Sequence, residues 1–596
     1  MNILGLNIGH NSTACLLNNG KIVGCISEER FSRIKNHYGV PYKSIEYLLK
    51  TNKLSIQDID NVVLDDQYSL KYNPSFGTHF LEAYTKKSLV KKILSTLGYS
   101  YPKIFASYMG LKDFFLSQNK KSKTNTLKNK LSELIKISPD KIIVIDHHLA
   151  HALSTCYNIP KDKKTLIFTL DGEGSGICAS VNIFDGKNLR IIARSKKSAS
   201  LGYLYALATL FLGMKPMEHE FKVMGLAPYA KTHKVDEIYH KFKELIYIDS
   251  QLCFQSKFNM PFADHFFIRE MKYVRFDIVA GAVQRLVEEL TSEWIKKAIV
   301  KTGISDITLS GGVFMNVKAN QKIAEMPEVK NIFVMPSCGD EANALGACFY
   351  GYKKYCEENN LSLSSQPLKD LYLGPEYMDT YIEELIKTKS LHKKYTIKKV
   401  QNINREVARL LAKGHIVARC SGRSEWGARA LGNRSILSNA SNPDTIRILN
   451  ETIKDRDFWM PFTPSILDKY ERKYVVNPKK IFAPYMAITF DSTKKARKDI
   501  PAAMHPYDQT LRPQIVTKEY NSDYYEIIKE YNKLTGAGGI LNTSFNLHGE
   551  PNVLTPEDAI HTVEKSDLKY LAMGNYLFRK ISANKKFINH KVGSEL

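Results

Sequence analysis

At 596 residues the chain exceeds the roughly 250–300 residues at which single cores stop growing, so two domains are predicted, the first the larger. A hydrophobic fraction of 43% with 11% aromatics excludes a disordered chain, and no apolar stretch reaches the ~20 residues of a membrane-spanning helix, which points to the cytoplasm and to no membrane partner. The net charge of +24 raises the question of anionic partners, but it is mostly lysine and widely spread; its compact run, Lys120-Lys121-Ser122-Lys123 through Lys130, lacks interleaved aromatics, so nucleic acid is not an expected partner.

The chain opens with three predicted strands, Ile3 to Ile8, Ala14 to Leu17 and Lys21 to Ser27, with Asn19-Gly20 as the hairpin turn between the last two. The first turn, Gly9-His10-Asn11-Ser12-Thr13, is small and polar; in actin-like and sugar-kinase-like folds such a turn faces a nucleotide phosphate. His10 could take a proton from a hydroxyl there, although turn histidines more often serve structure. From about residue 70 to 138, lysine, leucine and phenylalanine without strand alternation predict a mainly helical insertion.

Regular α/β organisation then returns. Four short apolar runs, Lys141 to Ile145, Thr165 to Leu170, Ile307 to Leu309 and Ile332 to Met335, each end in a loop rich in Gly, Asp or His. Ligands in open α/β sheets gather beyond the carboxyl ends of strands, so these loops are expected to face one cleft. Phe276 to Val300 carries apolar residues at helical spacing and should pack on the sheet. A polar connector at 357–370 separates a first domain, 1–356, from a second, 371–580, which starts with an amphipathic helix at Val400 to Lys413 and a strand at Ile416 to Arg419; the tail from Ser582 is peripheral. The nine cysteines stand singly, without a CxxC pair, which speaks against a disulfide framework or a zinc knuckle.

Two groups of residues carry chemistry. In Asp146-His147-His148-Leu149-Ala150-His151-Ala152, His147 and His151 are four apart and share one helical face, so both can grip one ion. Asp171 and Asp340, each at a predicted strand end, can complete a mixed set suited to iron(II), manganese or zinc. His148 points elsewhere and is read as a residue that supports the ligands from behind or as a structural one. Gly311-Gly312 permits close approach of a backbone to a ligand, a weak signal by itself. In the second domain Arg423, Arg429 and Arg434 fall within twelve residues among Gly, Ala and Ser, followed by Lys454, Arg456, Arg512 and the run Asn542-Thr543-Ser544-Phe545-Asn546. Guanidinium groups match phosphate oxygens, and their lack of alternation with acids favours a polyanion pocket over a solvated salt-bridge helix.

With these residues in place the chain resembles the O-carbamoyltransferases of nodulation-factor and antibiotic biosynthesis. The matching elements run in order along nearly the whole chain: Gly9-His10 with Glu28-Glu29-Arg30, Asp146 to Ala152, Asp171-Gly172, Lys222 to Ala227, Gly311-Gly312 with Asn316, Asp340 to Ala347, Gly422 to Leu437, Lys454 to Pro464, Thr510 to Val516 and Asn542 to Pro551. The resemblance implies an α/β protein with a large actin-like (ASKHA, duplicated RNase H-like), metal-dependent domain followed by a smaller YrdC-like α/β domain. It implies that carbamoyl phosphate and ATP, with magnesium, give carbamoyl adenylate in the second domain, and that a hydroxyl acceptor on a sugar or secondary metabolite takes the carbamoyl group in the first. By that resemblance His147, His151, Asp171 and Asp340 hold the metal, iron(II) being favoured, His10 is the candidate base, and Gly311, Gly312 and Asn316 cradle the adenosine. Arg423, Lys454, Arg456, Arg512 and Ser544 bind the phosphates, with Arg429, Asn433, Arg434, Asn542 and Asn546 around them. Met460 stands where many relatives have arginine, which puts that one contact in doubt. A homodimer is a possible assembly. The competing readings are a tRNA threonylcarbamoyl transferase-like enzyme and a nucleotide-binding interaction protein without activity.

Overall fold

The structure, a computed structural model, describes residues 1–66, 89–118, 120–160 and 162–581. The three opening strands form as expected: β1 (Asn2–Asn7), β2 (Thr13–Asn18) and β3 (Lys21–Ser27) are successive antiparallel neighbours. β4 (Asn61–Asp65) and β5 (Ile142–Ile145) add in parallel on the other side of β1, giving the order β3-β2-β1-β4-β5.

After the short helix α1 (His147–Ser154) the same pattern is built again. β6 (Thr165–Gly174), β7 (Ile177–Phe184) and β8 (Leu189–Lys196) form an antiparallel meander. The long helix α2 (Phe276–Thr302) presses Val279, Val283, Leu286 and Trp294 into the core, with Trp294 edge-on to Phe168 at 5.0 Å, and Gly303 at φ 71° stops it. β9 (Asp306–Ser310) then pairs in parallel with β6; helix α3 (Val317–Glu325) leads to β10 (Asn331–Val334), parallel to β9. The second sheet therefore reads β10-β9-β6-β7-β8, the strand order and directions of the first repeated. This is the duplication that the resemblance led one to expect.

Helix α4 (Asn343–Glu358) joins the two sheets, packing against both β1 and α1. The fit is backbone to backbone: a Cβ on Gly346 would lie 1.8 Å from the Ala150 carbonyl oxygen. α1 carries His147 and His151, and α4 follows directly on Asp340, so this contact sets the spacing of all three.

Past α4 the chain has no regular element until a helix at Asp379–Thr388. An eight-stranded sheet follows, made of β11 (Tyr395–Lys399), β12 (Val417–Cys420), β13 (Arg434–Ser438), β14 (Thr463–Leu467), β15 (Gln514–Val516), β16 (Gly539–Ser544), β17 (Tyr570–Met573) and β18 (Tyr576–Lys580). Its order is β11-β18-β17-β12-β13-β16-β14-β15. The expected amphipathic helix spans Ile403–Ala412 and buries Val407, Ala408 and Leu411.

The lysine-rich insertion is helical where it is described, at Leu89–Ser100, Pro102–Gln118 and Lys120–Ile135; Leu127 and Leu131 of the last helix reach the core beneath the first sheet. Residues 67–88 and the tail beyond 581 lie outside the described residues. No described helix is long and apolar enough to cross a membrane, and all nine cysteines are free.

Gly346→Ala should destabilise the protein by about 1–3 kcal/mol or more in denaturant unfolding, because two helix backbones must part. Gly110→Ala, in a helix with nothing within 4 Å of the added atom, should be neutral or stabilising by about 1 kcal/mol.

Candidate metal centre and anion pocket

The first cluster is assembled at strand ends. Asp146 caps α1 by accepting the Leu149 amide at 3.0 Å, which starts the helix so that His147 and His151 rise on one face. Asp171 sits where the β6–β7 register breaks between Leu170 and Gly174. Asp340 begins the single turn ahead of α4. Ligand atoms of these four residues all lie within 4.8 Å of one another. The His147 and His151 Nε2 atoms are 3.1 Å apart, each is 3.3 Å from Asp171 Oδ2, and they stand 3.7 and 3.6 Å from Asp340 Oδ1. A cation about 2.1 Å from each donor would separate neighbouring donors by roughly 3.0–3.4 Å; the histidine and Asp171 separations fall in that range and those to Asp340 just beyond it, so the set could hold a metal ion.

Sequence reasoning missed the residues behind this set. Asp65, fully buried at the end of β4, accepts from His147 Nδ1 at 2.6 Å and from Asn343 Nδ2 at 3.0 Å, which fixes the imidazole with its Nε2 lone pair turned inward. The available signal was positional: Asp65 is another acid at the end of an apolar run. His148 faces Thr169 Oγ1 at 2.7 Å and is held neutral by burial and by its two histidine neighbours, in keeping with a structural part. Burial alone would depress the other two imidazoles. Asp171 and Asp65 outweigh it at His147, as Asp171 and Asp340 do at His151, and both are raised. Burial beside Asp171 pushes Asp340 up to about 7.

His10 lies in the turn between β1 and β2, within electrostatic reach of Asp171, Glu218 and Glu29. Burial lowers its pKa against those three acids, so the ring is neutral at pH 7. A Cβ on Gly312 would come 2.8 Å from Asp171 Oδ1, and glycine there lets the loop after β9 close over the carboxylate. Gly311 precedes it at φ 104°. Asn316 caps α3 through Ala319 N at 3.1 Å and exchanges hydrogen bonds with Gln284.

The second cluster is cationic. Lys454 Nζ donates to Ser544 O at 2.5 Å and Asn546 Oδ1 at 2.8 Å, and Ser544 Oγ donates to the same amide oxygen at 2.6 Å, so these three form one knot. Arg456 donates to Thr543 Oγ1 at 3.2 Å and lies over Phe462. Burial, then Arg429, pulls Arg456 down to about 10; burial, then Arg429 and Arg456, pulls Arg512 well below its ordinary value. No carboxylate among the described residues forms an ion pair with Arg429, Arg456 or Arg512, and Arg512 Nε is buried without a partner. Burial lowers Arg429 too, and three guanidiniums without an ion-pair partner among the described residues make a pocket suited to an anion.

Not every predicted residue belongs to it. Arg423 donates to Gly374 O at 3.1 Å, Leu373 O at 2.9 Å and Val23 O at 3.3 Å, so in this structure it ties residues 373–374 to β3. Arg434 is buried, with donors on Leu554 O, Gly422 O and Pro375 O, and Asn433 accepts from Arg419 while donating to Arg423 O. Asn542 donates to Ala430 O at 3.0 Å. These residues stiffen the segment that presents Arg429.

That segment touches the first cluster. Ala428 N donates to Ser337 Oγ at 3.0 Å, Ser337 Oγ donates to Glu341, Glu341 accepts from Asn11 at 3.2 Å, and Arg30 donates to Gly427 O at 2.7 Å. The loop with Asp340, the turn with His10 and the segment with Arg429 are thus linked by buried or half-buried hydrogen bonds.

Two repeated sheets thus join a cluster able to hold a metal ion to a pocket of guanidiniums without ion-pair partners among the described residues. The family model described as Carbamoyltransferase N-terminus matches residues 2–349 and that described as Carbamoyltransferase C-terminus matches 408–580; the chain belongs to the carbamoyltransferase family and is an enzyme of that kind. An uncharacterised protein of Methanocaldococcus jannaschii is 31% identical, over 97% of this chain and 100% of its own. Nodulation protein NolNO of Sinorhizobium fredii is 28% identical, over 96% of this chain and 80% of its own. Full-length HypF in its phosphate- and nucleotide-bound form aligns at a TM-score of 0.36 and 16% identity, over 61% of this chain and 56% of that one.

Purified protein should carry about one tightly held first-row metal ion per chain, by elemental analysis. His151→Ala should lower that content at least about tenfold while Arg512→Ala leaves it unchanged.

Proposed function

We propose that the chain is an ATP-dependent O-carbamoyltransferase that works in two steps, with domain limits at 1–356 and 371–580 and a YrdC-like second domain. The observation that carries this reading is the pairing of an uncompensated arginine pocket with a two-histidine, two-carboxylate cluster across one hydrogen-bonded seam. Carbamoyl phosphate and the ATP phosphates bring the negative charge that Arg429, Arg456 and Arg512 lack, beside the Lys454, Ser544 and Asn546 knot. Water cleaves the bridging oxygen–phosphorus bond of carbamoyl phosphate, releasing inorganic phosphate and carbamate; a carbamate oxygen then attacks the ATP α-phosphorus, pyrophosphate departs and carbamoyl adenylate forms. The half-buried guanidiniums are set in place beforehand, so they stabilise charge that develops on the phosphoryl oxygens without reorganising.

The acceptor step belongs to the first domain. Gly311 and Gly312 admit the adenylate close to the backbone, with Asn316 beyond them. The neutral His10 accepts the acceptor hydroxyl proton as its oxygen attacks the carbamoyl carbon, and AMP is expelled. An iron(II), manganese or zinc ion held by His147, His151, Asp171 and Asp340 would supply Lewis-acid polarisation of carbonyl and phosphate oxygens. Asp65 keeps His147 in the tautomer that such binding requires. Enclosure at the seam limits loss of the mixed anhydride to water. The acceptor is a hydroxyl of a sugar-containing molecule or secondary metabolite.

Release of phosphate and pyrophosphate from carbamoyl phosphate plus ATP should fall by about 10²–10³ in Arg512→Ala and survive in His147→Ala, whose transfer to any acceptor is lost. His10→Ala should slow transfer by about 10²–10⁴ and leave pyrophosphate release intact. Mass spectrometry for the gain of one carbamoyl group identifies the acceptor. A product that requires bicarbonate and threonine, with carbamoyl phosphate idle, would overturn the assignment.

A further inference from the structure

The loop that carries Arg512 is held from the other side of the seam. Lys318, in the first turn of α3 and two residues past Asn316, donates to Thr510 Oγ1 at 2.6 Å and pairs with Asp508. Asp508 closes the ring by accepting from Thr510 N at 3.0 Å and from Thr510 Oγ1 at 2.8 Å. The ring is largely shielded, with the Lys318 side chain 15% and the Asp508 side chain 26% exposed. Burial works against ionisation of Asp508, yet His505 and Lys318 hold its carboxyl below the ordinary range. His505 reaches across in turn, donating from Nε2 to Gly225 O at 2.8 Å.

α3 grips the segment beside this loop as well. Asn320 donates to Ala487 O at 2.8 Å and Thr489 Oγ1 to Val317 O at 3.0 Å. Phe490 and Leu511 exchange backbone hydrogen bonds at 2.9 and 3.0 Å, and Arg512 is the next residue. One short helix of the first domain therefore fixes both strands of backbone that lead to Arg512. The need for such fixing is electrostatic, because Arg429 and Arg456 repel the Arg512 guanidinium and no carboxylate among the described residues pairs with it. An untethered loop would relax by swinging that charge toward water.

We infer that Lys318 is a positioning residue for Arg512: its pairing with Asp508 and Thr510 holds the guanidinium in the anion pocket and ties the pocket to the helix that begins at Asn316. The inference rests on the proposed reading of Arg512 as a ligand of carbamoyl phosphate. It separates Lys318 from the surface lysines that make up most of the +24 charge.

The test measures phosphate and pyrophosphate release by the full-length protein against carbamoyl phosphate concentration. Lys318→Met should raise KM for carbamoyl phosphate about tenfold, with kcat and metal content little changed, and Lys318→Arg should recover most of the loss. Asp508→Asn should raise KM similarly, and Lys318→Met with Asp508→Asn should cost no more than either alone, the non-additivity of two residues that act through one contact. A KM for Lys318→Met within about twofold of the parent, or additive costs in the double variant, overturns the inference. Should Lys318→Met fail to fold, Lys318→Arg and Asp508→Asn carry the same test, and a parental KM in Asp508→Asn overturns it. If Arg512→Ala itself leaves KM and kcat unchanged, the proposed role of Arg512 falls instead.

Discussion

Two buried imidazole nitrogens 3.1 Å apart, each 3.3 Å from the same carboxylate oxygen, need positive charge among them. The carboxylates around them shift both histidines toward their protonated forms, while burial beside Asp171 raises Asp340. A bound cation would supply that positive charge as well. Much of the first domain serves this point. The repeated sheets bring β4, β5 and β6 to deliver Asp65, α1 and Asp171, and the backbone contact between α1 and α4 brings Asp340 within reach. A sheet order other than 3-2-1-4-5 in either repeat would separate these strand ends.

The anion pocket obeys the opposite rule. There the protein leaves charge uncompensated, and desolvation of three guanidiniums raises the free energy of the empty state. What keeps that state intact is rigidity outside the pocket: Arg434, Asn433 and Asn542 commit their polar groups to backbone carbonyls and to one another, and each such bond holds the 422–434 segment still. The abundance of arginine in this stretch thus has two causes. Some guanidiniums have no carboxylate partner among the described residues, and others, Arg423 and Arg434 among them, are spent on backbone carbonyls.

That distinction marks how far the sequence could be read. Short apolar runs, and histidines spaced four apart after a buried strand, are local patterns, so the opening strands, α1 and its two clustered histidines were legible. Asp171 and Asp340 were legible as acids that follow apolar runs, although Asp171 lies within β6 and Asp340 in the turn ahead of α4. Arg423 and Arg434 were not separable from Arg429, because which carbonyl a guanidinium meets depends on segments such as 373–375 and 554, remote in sequence and close only after folding. Asp65 hid for the same reason: its run resembles any buried strand until β5 brings His147 alongside. The +24 charge was a poor guide, since the cations that matter at the pocket are few and half-buried while the many lysines are exposed.

The seam explains why one chain carries both clusters. Gly427 and Ala428 hydrogen-bond to Arg30 and Ser337, residues that belong to the first domain, and Ser337 lies three positions before Asp340. Arg429 therefore cannot move relative to the metal-competent cluster without breaking buried hydrogen bonds on both sides, and a buried polar group left unpaired costs about 1–3 kcal/mol. Two independent chains would have to remake these contacts at each encounter, paying the entropy of association every time. Covalent linkage with an interlocked seam removes that cost, and on the proposed two-step route an intermediate too reactive for water would be made and consumed within one fixed geometry.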